Sequence, residues 1–125
     1  MNWTYLILAV VIVLAFLALR RAAFVSAEAA RQHLQAGAPV IDVRSPEEFN
    51  SGHVVNAVNI PLGRLDEGVL KLAPNKHQVL LVHCLSGGRS AMAKQQLKQL
   101  GYSNVYNLGS LARAKAIVAG GKPSN

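Results

Sequence analysis

The sequence predicts an α/β domain built on a mostly parallel sheet and preceded by one apolar helix. Three observations carry that expectation. Short apolar runs at Val40–Val43, Ala57–Ile60 and Val79–His83 alternate with stretches of helical pattern. Alternating strands and helices favour a parallel sheet with helices on its faces. An uninterrupted apolar stretch, Leu6 to Leu19, precedes all of this, and no charged side chain stands before Arg20.

The elements follow in order. Ser26 is an N-cap for a helix over Ala27–Gln35, with Ala30 and Leu34 on one face and Gly37 ending it. Val40-Ile41-Asp42-Val43 is a strand. Ser45, Pro46 and Glu48 are the cap, first-turn proline and third-position glutamate of a second helix. Ala57–Ile60 is a strand stopped by Pro61, and Leu62–Leu72 is helical. Val79–His83 is a strand, and Ser90–Leu100 is a helix ended by Gly101-Tyr102. Val105-Tyr106 is a last strand, Leu108–Val118 a final helix, and Gly120–Asn125 a frayed tail.

The chain has 125 residues, enough for one domain of ordinary size. The expected division is a transmembrane helix over 1–21 and an α/β domain over 22–123. Trp3 to Leu19 is 17 residues, roughly 25 Å as a helix and at the short end for a span. Trp3 and Tyr5 suit one interface and Arg20-Arg21 the other. The basic residues Arg20, Arg21 and Arg31 follow the run, so the domain is expected on the cytoplasmic side of the inner membrane. The alternative is a cleaved signal peptide, with Val25-Ser26-Ala27 as the cleavage site and a periplasmic domain. Its charge order is reversed, because no basic side chain precedes the apolar run. An interfacial helix is disfavoured because the run has no polar face.

The formal net charge of +7 lies outside the apolar stretch. It fits attraction to an anionic membrane surface or to small anionic substrates. No basic cluster with interleaved aromatics supports nucleic acid as a partner. One cysteine excludes an internal disulfide, a C-x-x-C redox pair and a multi-cysteine zinc site, and no metal or cofactor is expected.

That cysteine marks the candidate site. In His83-Cys84-Leu85-Ser86-Gly87-Gly88-Arg89-Ser90, Cys84 stands where a strand ends and a small-residue loop enters a helix. Backbone N–H groups and the helix dipole favour negative charge there, so the thiol should ionise more easily than a free one. Arg89 closes the loop with a fixed cation. His83 should point to the opposite side of the strand and serve structure. Asp42 is expected to end its strand on the active face and brace the loop, and Arg44 to pair with Glu48. His53 is expected to hydrogen-bond locally in a turn.

These residues resemble the rhodanese-like domains. Ile41–Phe49, Gly52-His53-Val54 and Ala57–Leu62 resemble the family's N-terminal signature. Val82–Ala91 resembles its active-site loop, and Gly101-Tyr102 with Val105 and Asn107-Leu108 its C-terminal strand. The resemblance covers roughly Phe24 to Leu111 and implies about five parallel strands, the first near Phe24-Val25. It further implies sulfur transfer through a persulfide on Cys84, with Leu85, Ser86, Gly87, Gly88 and Arg89 cradling the transferred group. Asp42 and Arg44 would support the site.

The implied donors are small anions, thiosulfate or a persulfide; the acceptors are cyanide, a thiol or a protein. Four residues separate Cys84 from Arg89, as in sulfurtransferases, where related phosphatases and arsenate reductases have one more. A persulfide carrier and a non-catalytic binding module are the other readings. One departure is the lack of any tryptophan after Trp3, where many members carry one behind a Gly-Gly pair. It touches the final helix and the rim of the site rather than the fold.

Overall fold

The computed structural model describes residues 2–120, and of residues 20–22 the backbone alone. Six α-helices, one 3-10 turn and four strands follow one another: α1 (Trp3–Ala22), α2 (Ala27–Gln35), β1 (Val40–Asp42), α3 (Pro46–Ser51), β2 (Val58–Asn59), the turn Leu62–Arg64, α4 (Leu65–Leu72), β3 (Leu80–His83), α5 (Gly88–Gln99), β4 (Val105–Gly109) and α6 (Leu111–Val118). The strands form one parallel sheet in the order β2-β1-β3-β4.

Capping chemistry sets the boundaries as the sequence implies. Ser26 accepts from the Ala29 N–H at the start of α2. At α3, Ser45 Oγ accepts from the Glu48 N–H, and the Glu48 carboxylate accepts from the Ser45 N–H.

Strand alternation divides the core. Ile41, Val43, Leu80, Val82 and Cys84 pack with α4 and α5 residues such as Val69, Ala93 and Leu97. Val40, Leu81 and Leu108 pack on the other face with Ala30 of α2 and with Ala114 and Ile117 of α6. At Gly68 in α4 an added Cβ would meet Ile60 Cγ2 at 2.6 Å, so this helix lies hard against the residue that follows β2.

Three expectations need correction. The sheet has four strands, because Phe24-Val25 forms none. The Val25 N–H does reach the Asn107 carbonyl at 2.9 Å. The Val25 carbonyl, however, goes to Arg113 Nη2 at 2.6 Å, and the chain turns at once into the cap of α2. The last strand is longer than Val105-Tyr106 and takes in Leu108, which the helical reading had claimed. Gly109, at φ +91°, ends it, and Ser110 caps α6.

The third correction concerns the N-terminus. Among the described residues no helix is long and apolar enough to cross a membrane, so the structure does not support a transmembrane helix over 1–21. The apolar stretch before Arg20-Arg21 is 17 residues, roughly 25 Å as a helix, which is the lower limit for a span. None of its described side chains joins either core cluster. Of the expected tail Gly120–Asn125, Gly120 donates its N–H to the Ile117 carbonyl at 3.0 Å, and 121–125 lie outside the described residues.

Candidate active site

Cys84 follows β3 and is 1% exposed. A register shift after Val82 sets His83 opposite Gly109, which passes over Leu108. That irregularity brings β4 to the loop, and the Cys84 N–H donates to the Gly109 carbonyl at 3.2 Å.

The loop then folds back onto the sulfur. The Gly87 N–H donates to Cys84 Sγ at 3.0 Å. Ser90 Oγ lies 3.4 Å from Sγ and 3.1 Å from the Gly87 carbonyl. Its single hydrogen serves one of them at a time. Burial pushes the Cys84 thiol up. The Ser90 hydroxyl and the N–H groups of Ser90, Gly87 and Ser86 more than offset that, so the thiol lies below its ordinary range. These donors belong to the first turn of α5 and the residues before it, where intrahelical acceptors are lacking.

The loop is bolted from outside. Asn107, buried in β4, donates from Nδ2 to the Gly87 carbonyl at 3.3 Å and accepts from the Gly109 N–H at 2.8 Å. The Leu111 N–H reaches the Leu85 carbonyl at 3.2 Å. Phe24 packs over Gly87, where an added Cβ would come within 2.8 Å of the ring, and φ is +104°. Both facts demand glycine there. Arg113 lies over the same ring, 5.5 Å from its centroid.

Arg89 stands in the first turn of α5 and pairs with Glu48 through two parallel bonds, Nη1–Oε1 at 2.6 Å and Nη2–Oε2 at 2.9 Å. The Arg89 hydrogen bond, ahead of those from Ser45, lowers the Glu48 carboxyl to about 2. Glu48 in turn raises Arg89, and the Cys84 charge adds to that.

The expected pairing of Arg44 with Glu48 is therefore wrong. Arg44 is 3% exposed and turns to Asp42, with Nε 3.0 Å from both carboxylate oxygens and Nη2 at 2.7 Å from Oδ2. Its Nη2 also reaches the Gly52 carbonyl at 2.7 Å. The capping box explains the exchange, because it folds Glu48 back over Ser45 and out to Arg89.

The second error concerns Asp42, which does not brace the loop. It lies on the Val40 side of β1, beside His83 in the neighbouring strand and away from Cys84. Besides the guanidinium it accepts the Arg44 N–H at 3.0 Å. His83, fully buried, sits on the face expected for it. Its Nδ1 is 3.2 Å from the Cys84 carbonyl, and its Nε2 is 3.7 Å from Asp42 Oδ2. Burial lowers its pKa more than Asp42 raises it. His53 bonds the Phe49 carbonyl at 2.9 Å and stacks on the Phe49 ring, a local turn contact as expected.

A cation in the first turn of a helix calls for a ligand or carboxylate partner, but sequence reasoning missed that Glu48 is the partner of Arg89, and it missed Ser90 and Asn107. Ser90 carried a signal, since a hydroxyl in the first turn of a helix is placed to face a group at its N-terminus. Asn107 carried none, because its role depends on the register shift.

Residues 26–113 match the rhodanese-like domain family. The chain belongs to that family. The thiosulfate sulfurtransferase PspE of Escherichia coli is 41% identical over 71 residues, which cover 57% of this chain and 68% of that protein. A solved rhodanese with anions from E. coli superposes with a TM-score of 0.58 at 39% identity, covering 60% of this chain and 88% of that one. The human single-domain sulfurtransferase TSTD1 gives a TM-score of 0.63 at 30% identity, covering 74% and 93%. The chain spans 49% and 55% of the length of two other curated relatives. The protein is thus a rhodanese-like sulfurtransferase with a parallel four-stranded sheet.

Proposed function

We propose that the protein moves a sulfane sulfur from thiosulfate or a persulfide to a thiophilic acceptor through a Cys84 persulfide. The observation that carries this reading is the convergence of N–H and O–H donors on a buried sulfur. The Cys84 thiolate attacks the outer sulfur of the donor. The donor's S–S bond breaks, and sulfite or a thiolate leaves with the electron pair. An acceptor such as cyanide or a thiol then attacks the outer sulfur of Cys84–S–S⁻ and frees the Cys84 thiolate. Leu85 to Arg89 form the cradle, and loop N–H groups aimed at the sulfur stabilise the anion as oxyanion-hole donors do. Asp42 and Arg44 act as scaffold behind it.

We further propose that α1 holds the domain at the inner membrane, with the domain on the cytoplasmic side. Support comes from the apolar run, from Trp3 and Tyr5 at one end and from Arg20-Arg21 at the other. Extraction of membranes with high salt and then detergent tests this. Release by salt alone, or recovery in the soluble fraction, overturns it.

For the chemistry, the 125-residue chain is incubated with thiosulfate, weighed intact by mass spectrometry, treated with cyanide and assayed for thiocyanate. Wild type should gain the mass of one sulfur atom and lose it to cyanide with turnover, while Cys84→Ser should gain nothing. Loading without turnover would favour a persulfide carrier. Absence of loading from thiosulfate and from a persulfide donor would defeat the reading.

A further inference from the structure

The Glu48–Arg89 pair bears on which donor the site accepts, an inference that rests on the sulfur-transfer reading above. Arg89 is the cation of the cradle, one residue before Ser90, whose hydroxyl reaches the sulfur. Its two terminal nitrogens are both committed to the Glu48 carboxylate. The carboxylate is itself fixed, since Oε1 also accepts from the Ser45 N–H at 3.2 Å and from Ser45 Oγ at 3.1 Å. Swinging Glu48 aside to release Arg89 would open the cap of α3 as well.

The pair is partly exposed, with the Arg89 side chain at 38% and that of Glu48 at 31%, so it lies within reach of an incoming anion. As a unit it is neutral. A dianion such as thiosulfate approaching the cradle meets neutral hydrogen-bond donors and a cation whose charge is cancelled. It also meets the field of the carboxylate, which repels a charge of −2 twice as strongly as a charge of −1. A persulfide with no other ionised group is a monoanion and loses less.

We propose that Glu48 is a specificity-determining residue that, by neutralising Arg89, biases the site toward monoanionic persulfide donors and against dianionic thiosulfate. Glu48 has no direct part in bond making. It acts through Arg89 and the local field.

The test compares Cys84 loading by thiosulfate and by hydroxyethyl persulfide, the monoanionic persulfide of 2-mercaptoethanol, followed by rapid quench and intact mass, in wild type and Glu48→Gln. Glutamine completes the same capping box, so the variant keeps the start of α3. The expected result is a fall in the half-saturating thiosulfate concentration of about tenfold, and a change of no more than about threefold for the persulfide, as one removed charge acts on −2 against −1. The thiosulfate rate should also become more sensitive to added salt. The double variant Glu48→Gln with Arg89→Gln, whose rim is neutral again, should return the donor ratio toward wild type.

Loading by both donors with an unmoved ratio, or a ratio shifted toward the persulfide, overturns this inference and leaves sulfur transfer standing. Failure of both donors to load wild type sinks sulfur transfer and this inference together.

Discussion

His83 and Cys84 are adjacent in the chain, equally buried, and yet face opposite environments. Cys84 looks toward α5 and is approached by the Gly87 N–H and by the Ser90 hydroxyl, which it shares with the Gly87 carbonyl. His83 looks the other way, toward a carboxylate and a guanidinium that already satisfy each other. The first arrangement favours a negative charge on the sulfur. The second keeps an imidazole neutral, because burial outweighs the attraction of Asp42. Reactivity here is thus decided by which side of the strand a residue faces, and the distance along the chain matters little. One side ends in open N–H groups, the other in a closed ion pair.

The comparison breaks most completely at the sulfur. Cys84→Ala should abolish sulfur loading while leaving the thermal midpoint close to wild type, as the change removes a single sulfur atom from a small side chain. A large drop in midpoint with retained loading would reverse the assignment of the two sides.

Next in size is the closed pair. Asp42→Ala leaves the Arg44 guanidinium buried without its partner, a situation that costs about 3–5 kcal/mol. Urea unfolding should show that loss. Alkylation of Cys84 in the folded fraction should keep its pH profile, since Asp42 faces away. A shifted profile would mean that the two sides communicate.

A smaller effect belongs to the open side. Ser90→Ala removes the hydroxyl that helps hold the thiol pKa down, so the pH profile of Cys84 alkylation by iodoacetamide should move to higher pH. A bond to a charged group is worth about 1.5–3 kcal/mol, and this hydroxyl is shared with the Gly87 carbonyl, so the lower end applies and alkylation near neutral pH should slow by about tenfold. Asn107→Ala should move the profile the same way by a lesser amount, because it acts only through the Gly87 carbonyl.

The smallest effect is acid sensitivity. The folded-state pKa of Glu48 is depressed from 4.5 to about 2, so its contribution to stability is complete above about 4.5 and is lost as pH falls toward 2. The pair is part exposed, which limits the effect to about 1 kcal/mol. Glu48→Gln should flatten the stability curve between pH 5 and 2, measured as the urea midpoint at each pH. A curve of unchanged slope would show that other carboxylates govern the acid limb.

Local rules carried much of the fold. Alternation placed Ile41 and Val82 in one core cluster and Leu81 in the other, and put His83 behind the site. Capping residues located the starts of α2 and α3 to the residue. The position of Cys84 at a strand end before a helix was legible for the same reason, since it depends on neighbours in the chain. The failures share a different cause. The extent of β4, the missing strand at Phe24-Val25 and the partners of Arg44 and Glu48 all depend on groups far along the chain. Arg113 takes the Val25 carbonyl across 88 positions, and Arg89 takes Glu48 across 41.

The sequence by itself therefore determined the α/β order, the helix caps and the cysteine loop, because hydrophobic period and backbone capping act over a few residues. Only the tertiary structure decided how charge is arranged around the sulfur. Cys84 draws its donors from a loop held by Asn107 in β4, and Arg89 is neutralised by the cap of the helix that follows β1. Ion pairs form between whichever opposite charges the packed chain brings within reach, and that is set by the register of the sheet rather than by spacing along the sequence.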